Sequence, residues 1–245
     1  MSRLLFSLLA ATTLSAQPSF EIEGRYWFSQ IDAKLRVQSQ GVGTDIDGKT
    51  DLGLTDSGFP EGRGAVRWGH NKLQFAYTPI SFSGERVVTR TLIFNGRTYA
   101  FGTRVISNLE VDHVQLGFTR YFSIHEGLVK LGPIVEANGF LLSGTLQAPA
   151  VNVNSKEDLS VGLPALGPSL EISPRRQVDI YGEACGMSAG NYGRFIRTEA
   201  GVRVSPTRFL RLSAGYRTFN LRVASSSDFV RFSVRGPFLG AGLRW

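Results

Sequence analysis

Three histidines are the residues of this chain that are best suited to acid–base chemistry. His113 lies in the segment 110–115, where alternating apolar and polar residues predict a strand. Neighbouring side chains of a strand point to opposite faces, so Asp112 cannot form a dyad with His113 within that strand. His70 and His125 fall in short polar segments that are typical of turns. The histidines therefore do not favour a catalytic site, although a cross-strand Ser or Glu partner for His113 stays open.

The carboxylates and the single cysteine give no strong signal of metal or nucleophilic chemistry. The segment 45–51 carries alternating Asp residues, whose oxygens are ligands that Ca²⁺ accepts. Its glycine, Gly48, comes too early for an EF-hand loop, so a solvated loop is the simpler interpretation. Cys185 has no second cysteine to pair with, and we interpret it as a small packed residue. No phosphate-binding Gly loop, Cys/His cluster or Gly-x-Ser-x-Gly motif occurs, so we expect no metal and no cofactor.

A more extensive pattern is formed by charged residues of the C-terminal half, which recur at alternate positions among small residues. The set comprises Glu171, Asp179, Glu183, Arg197, Glu199, Arg203, Arg211 and Arg217. Charges on one protected face must pair, because an unpaired buried charge costs several kcal/mol. Such a set forms either an ion-pair plug or the selectivity ring of a narrow pore. The acidic residues on the sixth and seventh predicted strands would face the basic ones on the eighth and ninth.

Alternation at a period of two residues dominates the chain after its N-terminus and predicts β-strands. In 209–217, for example, four apolar residues take one face, and arginine, serine and glycine take the other. Tight turns and longer polar stretches alternate between the strands, and Asn95-Gly96 is a strong hairpin signal. This order is typical of an up-and-down barrel with turns at one rim and loops at the other.

We predict about ten strands, near 20–38, 59–69, 72–90, 98–122, 128–147, 159–173, 177–188, 194–205, 208–224 and 229–245. An even number places both termini on one side, which we expect to be the periplasm. The stretch from Gln147 to Asp158 is predicted as a loop, and the long hairpin within 72–122 as a projection beyond the membrane. Prolines are awkward in central strands. We therefore expect bulges near some of Pro79, Pro133, Pro164, Pro168 and Pro237, with a slip of the alternation at Thr78-Pro79-Ile80.

The N-terminus is typical of an exported protein. Arg3 precedes an uncharged apolar run from Leu4 to Leu14, and Ser15-Ala16 supply small residues before Gln17, which is the pattern of a secretory signal. We predict a cleaved signal peptide over 1–16 and one barrel domain over 17–245. The formal net charge is +7. In an exported chain this charge favours lipopolysaccharide phosphates or the barrel interior as its counterpart, rather than nucleic acid.

Two features favour a membrane barrel over a soluble one. The polar face combines charged residues with many of the 28 Gly, which leave room for long Arg side chains inside a narrow barrel. The last strand then ends on an apolar face formed by Pro237, Leu239, Ala241, Leu243 and Trp245. Aromatic residues near strand ends, among them Trp27, Trp68 and Tyr121, suit the girdles that flank a membrane.

This ending resembles the β-signal of bacterial outer-membrane β-barrel proteins of the small, single-chain type, in which alternating apolar residues precede a terminal aromatic one. The usual terminal residue there is Phe, and Trp is a variant. The resemblance implies that Leu239, Ala241, Leu243 and Trp245 are read by the barrel-assembly machinery. It also implies a place in the Gram-negative outer membrane, among its lipids and lipopolysaccharide.

Fold and location are thus predicted as an all-β, closed, antiparallel up-and-down transmembrane β-barrel of about ten strands, present as a monomer in the bacterial outer membrane. We interpret its function as non-enzymatic, either structural or as a narrow, porin-like passive pore with a charge-lined lumen. Ten strands enclose little more than side chains, which favours the plug over the pore. Two alternatives stay open. One is an outer-membrane enzyme acting on lipid or peptide, and the other is adhesion or partner binding by the hairpins around Asn95-Gly96.

Overall fold

The computed structural model describes residues 17–36, 44–94, 96–125, 127–188, 190, 193–224 and 229–245. The segment 1–16, predicted as a signal peptide, lies outside the described residues, as does Asn95 of the predicted Asn-Gly turn. Across the described ranges, no helix is long and apolar enough to cross a membrane.

The described chain is built almost wholly of β-strands, as the period-two alternation predicts. The strands are β1 (Ser19–Arg36), β2 (Ile46–Asp47), β3 (Ser57–Trp68), β4 (Asn71–Val87), β5 (Leu92–Phe94), β6 (Arg97–Tyr99), β7 (Arg104–Arg120), β8 (Phe122–Ile124), β9 (Val129–Ala148), β10 (Val153–Arg175), β11 (Val178–Ser188), β12 (Gly193–Val204), β13 (Leu210–Ala224) and β14 (Phe229–Arg244). One short 3₁₀ turn, Pro149–Val151, joins β9 to β10.

Ten of these strands close into one antiparallel barrel, in the order β1-β3-β4-β7-β9-β10-β11-β12-β13-β14 and back to β1. Closure is made by β1, in which Tyr26 lies opposite Pro60 of β3 on one side and Leu239 of β14 on the other. Neighbours in sequence are neighbours in space, so the topology is up-and-down. The predicted fold class, a closed antiparallel barrel of ten strands, is confirmed.

Two details of the predicted strand map are wrong. The stretch from Gln147 to Asp158 is not a loop, because β9 and β10 pair without interruption from Ala148↔Val153 to Val129↔Ile172. Asn154, Lys156 and Asp158 are exposed and Ser155 is buried, so polarity does not prevent strand pairing here. The hairpin predicted within 72–122 instead ends in a separate small sheet of β5 and β6, in which Phe94 lies opposite Arg97.

The expected proline bulges are also absent from the described strands. Alternation runs through Thr78-Pro79-Ile80, with Thr78 and Ile80 buried, and the pairing with β7 keeps one register. The one register shift between β10 and β11 lies between Ile172 and Arg175. Register is likewise unchanged across the other four prolines, Pro133, Pro164, Pro168 and Pro237.

In three of these strands a glycine precedes the proline across which the register is unchanged. Gly132-Pro133, Gly167-Pro168 and Gly236-Pro237 each lie where a carbonyl oxygen of the neighbouring strand approaches the glycine. A Cβ on Gly167 would stand 1.8 Å from the oxygen of Ala184, so no other residue fits there. Proline has no N–H to donate to the neighbouring strand. At these positions the neighbouring strand comes close to the preceding glycine, and no bulge residue is inserted.

Candidate functional site: the interior of the barrel

All eight charged residues singled out from the sequence lie on the inner face of β10 to β13. By strand, they are Glu171 on β10, Asp179 and Glu183 on β11, Arg197, Glu199 and Arg203 on β12, and Arg211 and Arg217 on β13. Seven of them are buried and Asp179 is half-buried. Alternation is the local cause, since odd-numbered residues of these strands face inward and even-numbered ones outward.

Three ion pairs join the acidic residues of β10 and β11 to the basic residues of β12 and β13. Arg203 Nη1 lies 3.4 Å from Glu171 Oε2, and Arg211 Nη2 lies 3.4 Å from Asp179 Oδ2. Arg197 Nη2 lies 3.1 Å from Glu183 Oε2. Acidic side chains of the sixth and seventh barrel strands thus meet basic side chains of the eighth and ninth.

Glu199 is the centre of a larger network that reaches across the barrel. Its Oε1 accepts hydrogen bonds from Arg25 Nη1 at 2.8 Å and Arg63 Nη1 at 3.0 Å, which come from β1 and β3. The Tyr181 hydroxyl donates to the same oxygen at 2.9 Å. Arg217 Nε donates to Oε2 at 2.8 Å. One carboxylate is thereby held by donors from four barrel strands.

Further cross-barrel pairs lie above and below Glu199. Arg67 Nη2 on β3 lies 2.9 Å from Glu171 Oε2 on β10. Lys72 Nζ on β4 lies 3.4 Å from Glu183 Oε1 on β11. Arg197 also pairs with Glu136 of β9, whose Oε1 accepts a 2.8 Å hydrogen bond from Gln115. We call the whole network the charged tier; the members that sequence reasoning missed are Glu21, Glu23, Arg25, Glu61, Arg63, Arg67, Lys72, Lys130 and Glu136.

A signal for the missed residues is present in the N-terminal half. Glu21, Glu23 and Arg25 share one face of β1, and Glu61, Arg63 and Arg67 would likewise fall on one face of β3. The same alternation rule that identified the later strands places them inside. The partners of Arg25, Arg63 and Arg67 across the barrel are not readable, because each lies more than 100 residues away in sequence.

Little free space remains in the charged tier. The cavity bounded by residues such as Glu23, Arg63, Lys72 and Gln115 holds about 30 Å³ for water centres. That is room for a few water molecules at most. A larger recess of about 310 Å³ lies at the turn end, beside His70, Lys130 and Arg244, and opens outward from the tier.

Above the charged tier, toward the loops, the interior is apolar rather than charged. Inward-facing phenylalanines form what we call the aromatic tier, Phe59, Phe82, Phe140, Phe195, Phe219 and Phe232. Their rings pack at centroid distances from 5.0 to 6.3 Å, mostly edge to face. Charged side chains therefore occupy the half of the interior nearer the turns, and aromatic ones the half nearer the loops.

His113 belongs to the boundary between the two tiers. Its ring stacks on Phe140 at 4.6 Å, and Nε2 shares a hydrogen bond with Asn138 Oδ1 at 3.0 Å. Asp112 points outward and accepts a 2.7 Å hydrogen bond from the Tyr77 hydroxyl. No carboxylate among the described residues hydrogen-bonds to His113, so the arrangement is that of a packed, satisfied side chain.

The Asp-rich segment 45–51 is held by hydrogen bonds to its own backbone N–H groups and to an arginine. Asp47 Oδ1 accepts the N–H groups of Lys49 and Thr50, and Asp51 Oδ2 accepts the N–H of Asp47 at 2.9 Å. Arg90 Nη2 lies 2.6 Å from the same Asp51 oxygen. Burial by itself would raise the pKa of Asp51, but these hydrogen bonds lower it below its ordinary value. In the described ranges, no three His, Cys, Asp or Glu side chains cluster to hold a metal ion.

Cys185 and the C-terminal residues complete the set singled out from the sequence. Cys185 is buried on β11, with Sγ 3.9 Å from Arg197 Nη2. Leu239, Ala241, Leu243 and Trp245 all point outward. Two aromatic residues expected in the outer girdles point inward instead; these are Trp27, which donates to the Gly236 carbonyl, and Tyr121, which bonds to Ser169.

Comparison with known proteins shows similarity in fold only. The outer membrane protease OmpT of Escherichia coli aligns with a TM-score of 0.59 at 6% identity, over 96% of this chain and 99% of that chain. Ail, the attachment invasion locus protein of Yersinia pestis, aligns at 13% identity over 94% of this chain and 99% of that chain. Its TM-score of 0.38 is too low to support any inference. No protein-family model and no curated relative matches the chain. The resemblance to bacterial outer-membrane β-barrels is thus confirmed as a shared fold.

Proposed function

We propose that this protein is a non-enzymatic, non-conducting β-barrel of the bacterial outer membrane. The observation that carries the proposal is the filling of the barrel by cross-barrel ion pairs, with Glu199 bound by side chains of β1, β3, β11 and β13. The aromatic tier packs across the half nearer the loops, where a cavity of about 220 Å³ lies beside Phe94, Leu142 and Phe232. A solute would have to displace paired, buried charges in an interior with room for only a few water molecules, which costs several kcal/mol per ion.

The outer surface supports a place in a membrane. On β1 the outward residues Phe20, Ile22, Gly24, Tyr26 and Phe28 carry no charge, and Gln30 then begins a polar stretch. On β14 the uncharged outward run extends from Trp245 to Pro237 and ends before Arg235. With a rise of about 3.3 Å per residue and a tilt of about 40°, such a run spans about 20 Å, close to the roughly 25 Å apolar band of outer-membrane barrels.

Export, orientation and assembly belong to the same proposal. The segment 1–16 would direct export, and both termini would lie in the periplasm beside the short turns. The outward face of Leu239, Ala241, Leu243 and Trp245 would be read by the barrel-assembly machinery, and the barrel would stand as a monomer among lipids and lipopolysaccharide.

Conductance in planar lipid bilayers tests the proposal. We expect purified, folded protein to insert without steady unitary currents, while a general porin in the same bilayers conducts. Reproducible unitary currents from the folded protein would establish the pore instead. Failure of folded protein to insert into lipid bilayers at all would overturn the membrane assignment itself.

The enzyme alternative receives no support from the described residues. OmpT is a protease by its name, and the fold it shares with this chain carries no catalytic residues with it. His113, the histidine most suited to acid–base chemistry, is held between Phe140 and Asn138. We expect cells with the wild type, cells with His113→Gln and cells without the protein to show equal surface proteolysis and lipid modification, and higher activity with the wild type than with His113→Gln would establish the enzyme instead.

A further inference from the structure

Four basic side chains form a row across the outer surface near the loops. Arg194 on β12 lies opposite Arg222 on β13, Arg222 lies opposite Arg231 on β14, and Arg231 lies opposite Lys34 on β1. All four point outward and are exposed. The cationic row, as we call it, therefore places like charges directly opposite each other in three successive cross-strand pairs.

Such an arrangement is unfavourable in the protein alone, because like charges directly opposite on adjacent strands destabilise a sheet. Among the described residues, a carboxylate offsets the repulsion between these cations only at one end of the row, where Lys34 Nζ lies 3.9 Å from Asp47 Oδ2. Within the described residues, Arg194, Arg222 and Arg231 have no carboxylate at ion-pair distance. Asp32, one outward position below Lys34, forms no ion pair with the row either. A negative charge from outside the described residues would therefore stabilise the row.

The groove beside the row has a form that suits a bound anion. A recess of about 580 Å³ is lined by all four cations together with Ile196, Asn220 and Phe229. Ser233 Oγ donates to Asn220 Oδ1 at 2.7 Å just below the row. The site thus combines guanidinium groups, which bind phosphate oxygens in pairs, with hydroxyl and amide groups that suit a sugar.

The height of the row discriminates between lipid classes. On three strands the cation stands six residues beyond the last outward apolar residue, as in Phe28 to Lys34 and Pro237 to Arg231, whereas on β12 Ile196 lies two residues from Arg194. Six residues of tilted strand correspond to about 15 Å. The headgroup layer of a phospholipid bilayer is only about 5–7 Å deep on each side. The row therefore stands above phospholipid phosphates, at a level that only a lipid with a large anionic head can reach.

We propose that the cationic row binds the phosphorylated sugars of a lipopolysaccharide-type glycolipid in the surrounding leaflet. This inference rests on the proposed membrane location, and it names the partner of one face of the barrel. Each Arg or Lys near an anionic lipid surface contributes enough for a several-fold change in affinity. Loss of three is expected to weaken binding by about 10-fold to 100-fold.

The test compares two triple variants in lipid nanodiscs that contain phosphorylated or enzymatically dephosphorylated lipopolysaccharide. The first is Arg194→Gln, Arg222→Gln, Arg231→Gln. The second, a control with the same charge change at the opposite rim, is Arg175→Gln, Arg176→Gln, Arg208→Gln. Glycolipid retained per barrel is measured at increasing salt, because contacts between exposed charges weaken as salt screens them.

We expect the wild type and the control to retain phosphorylated glycolipid, and the first variant to retain little. All three should retain the dephosphorylated form poorly. Equal retention by the two variants would overturn the proposal, and so would competition by millimolar inorganic phosphate, which would indicate a site for free phosphate. Each variant is first shown to be folded and inserted, so failure of insertion counts against the membrane location, and inserted protein without glycolipid preference counts against the cationic row alone.

Discussion

Arg63 on β3 and Glu199 on β12 meet inside the barrel through two hydrogen bonds, Nη1 to Oε1 at 3.0 Å and Nη2 to Oε2 at 3.3 Å. The two residues are 136 positions apart in sequence. Their strands are separated by three others around the short side of the barrel, so the pair spans the interior rather than following the wall. It shows that the charged tier connects opposite walls.

Removing the charge of Glu199 should be costly, because several guanidinium groups would lose their shared partner. We expect Glu199→Gln to lower the free energy of unfolding by about 3–5 kcal/mol. Urea unfolding in lipid vesicles, followed by tryptophan fluorescence, measures this change. Arg63→Gln added to Glu199→Gln should restore part of the loss, since it removes one of the orphaned cations.

The matched control is Glu85→Gln, which removes the carboxylate of an exposed ion pair with Arg104. Exposed pairs contribute about 0–1 kcal/mol, so this variant should unfold nearly as the wild type does. Equal losses for Glu85→Gln and Glu199→Gln would show that burial of the charged tier does not govern stability.

The glycine before a strand proline should tolerate no side chain. A Cβ at Gly167 would lie 1.8 Å from the Ala184 oxygen, whereas a Cβ at Gly162 of the same strand meets nothing within 4 Å. We expect Gly167→Ala to lower the free energy of unfolding by about 2 kcal/mol or more. Gly162→Ala should be neutral or slightly stabilising. Similar unfolding midpoints for the two variants would contradict the close approach.

The Asp51–Arg90 contact should make the first loop sensitive to acid. The folded pKa of Asp51 is depressed below 3.8, so its contribution to stability is present above the unfolded pKa and is lost as the pH falls through the folded pKa. A carboxyl ¹³C titration should give a midpoint below that of a free Asp. Proteolysis of the segment 45–56 should rise only below about pH 4. Asp51→Asn should be cleaved readily at neutral pH, and a midpoint above the ordinary value would refute the contact.

Trp245 should matter for closing the barrel. Its N–H donates to the Phe20 carbonyl at 3.0 Å, its carbonyl accepts the Phe20 N–H at 2.9 Å, and the two rings stack at 6.1 Å. Deleting Trp245 removes all three contacts, and we expect several-fold less heat-modifiable barrel in the outer-membrane fraction. Trp245→Phe should assemble almost normally, because it keeps the backbone bonds and an aromatic ring. Trp68→Ala, an exposed aromatic residue away from the closure, serves as the control.

The strands and their faces were predictable because they depend on local chemistry. Alternation places Glu171, Glu183 and Arg217 inside without knowledge of any neighbour, and the same rule applied to β1 and β3 would have found Glu21 and Arg63. The proline bulges were mispredicted for a different reason. Whether Gly167-Pro168 bends a strand depends on how closely β11 approaches, which local sequence does not specify.

Local residue patterns are therefore enough to predict that the chain is all-β, that its strands alternate between two faces, and that the last strand ends on an apolar outer face. Which charges meet depends on the closed barrel. Closure and strand register bring Arg25 and Arg63 to Glu199, and they align Arg194, Arg222 and Arg231 on the outside. Both outcomes depend on the register between strands, which is a property of the closed sheet and not of any one segment.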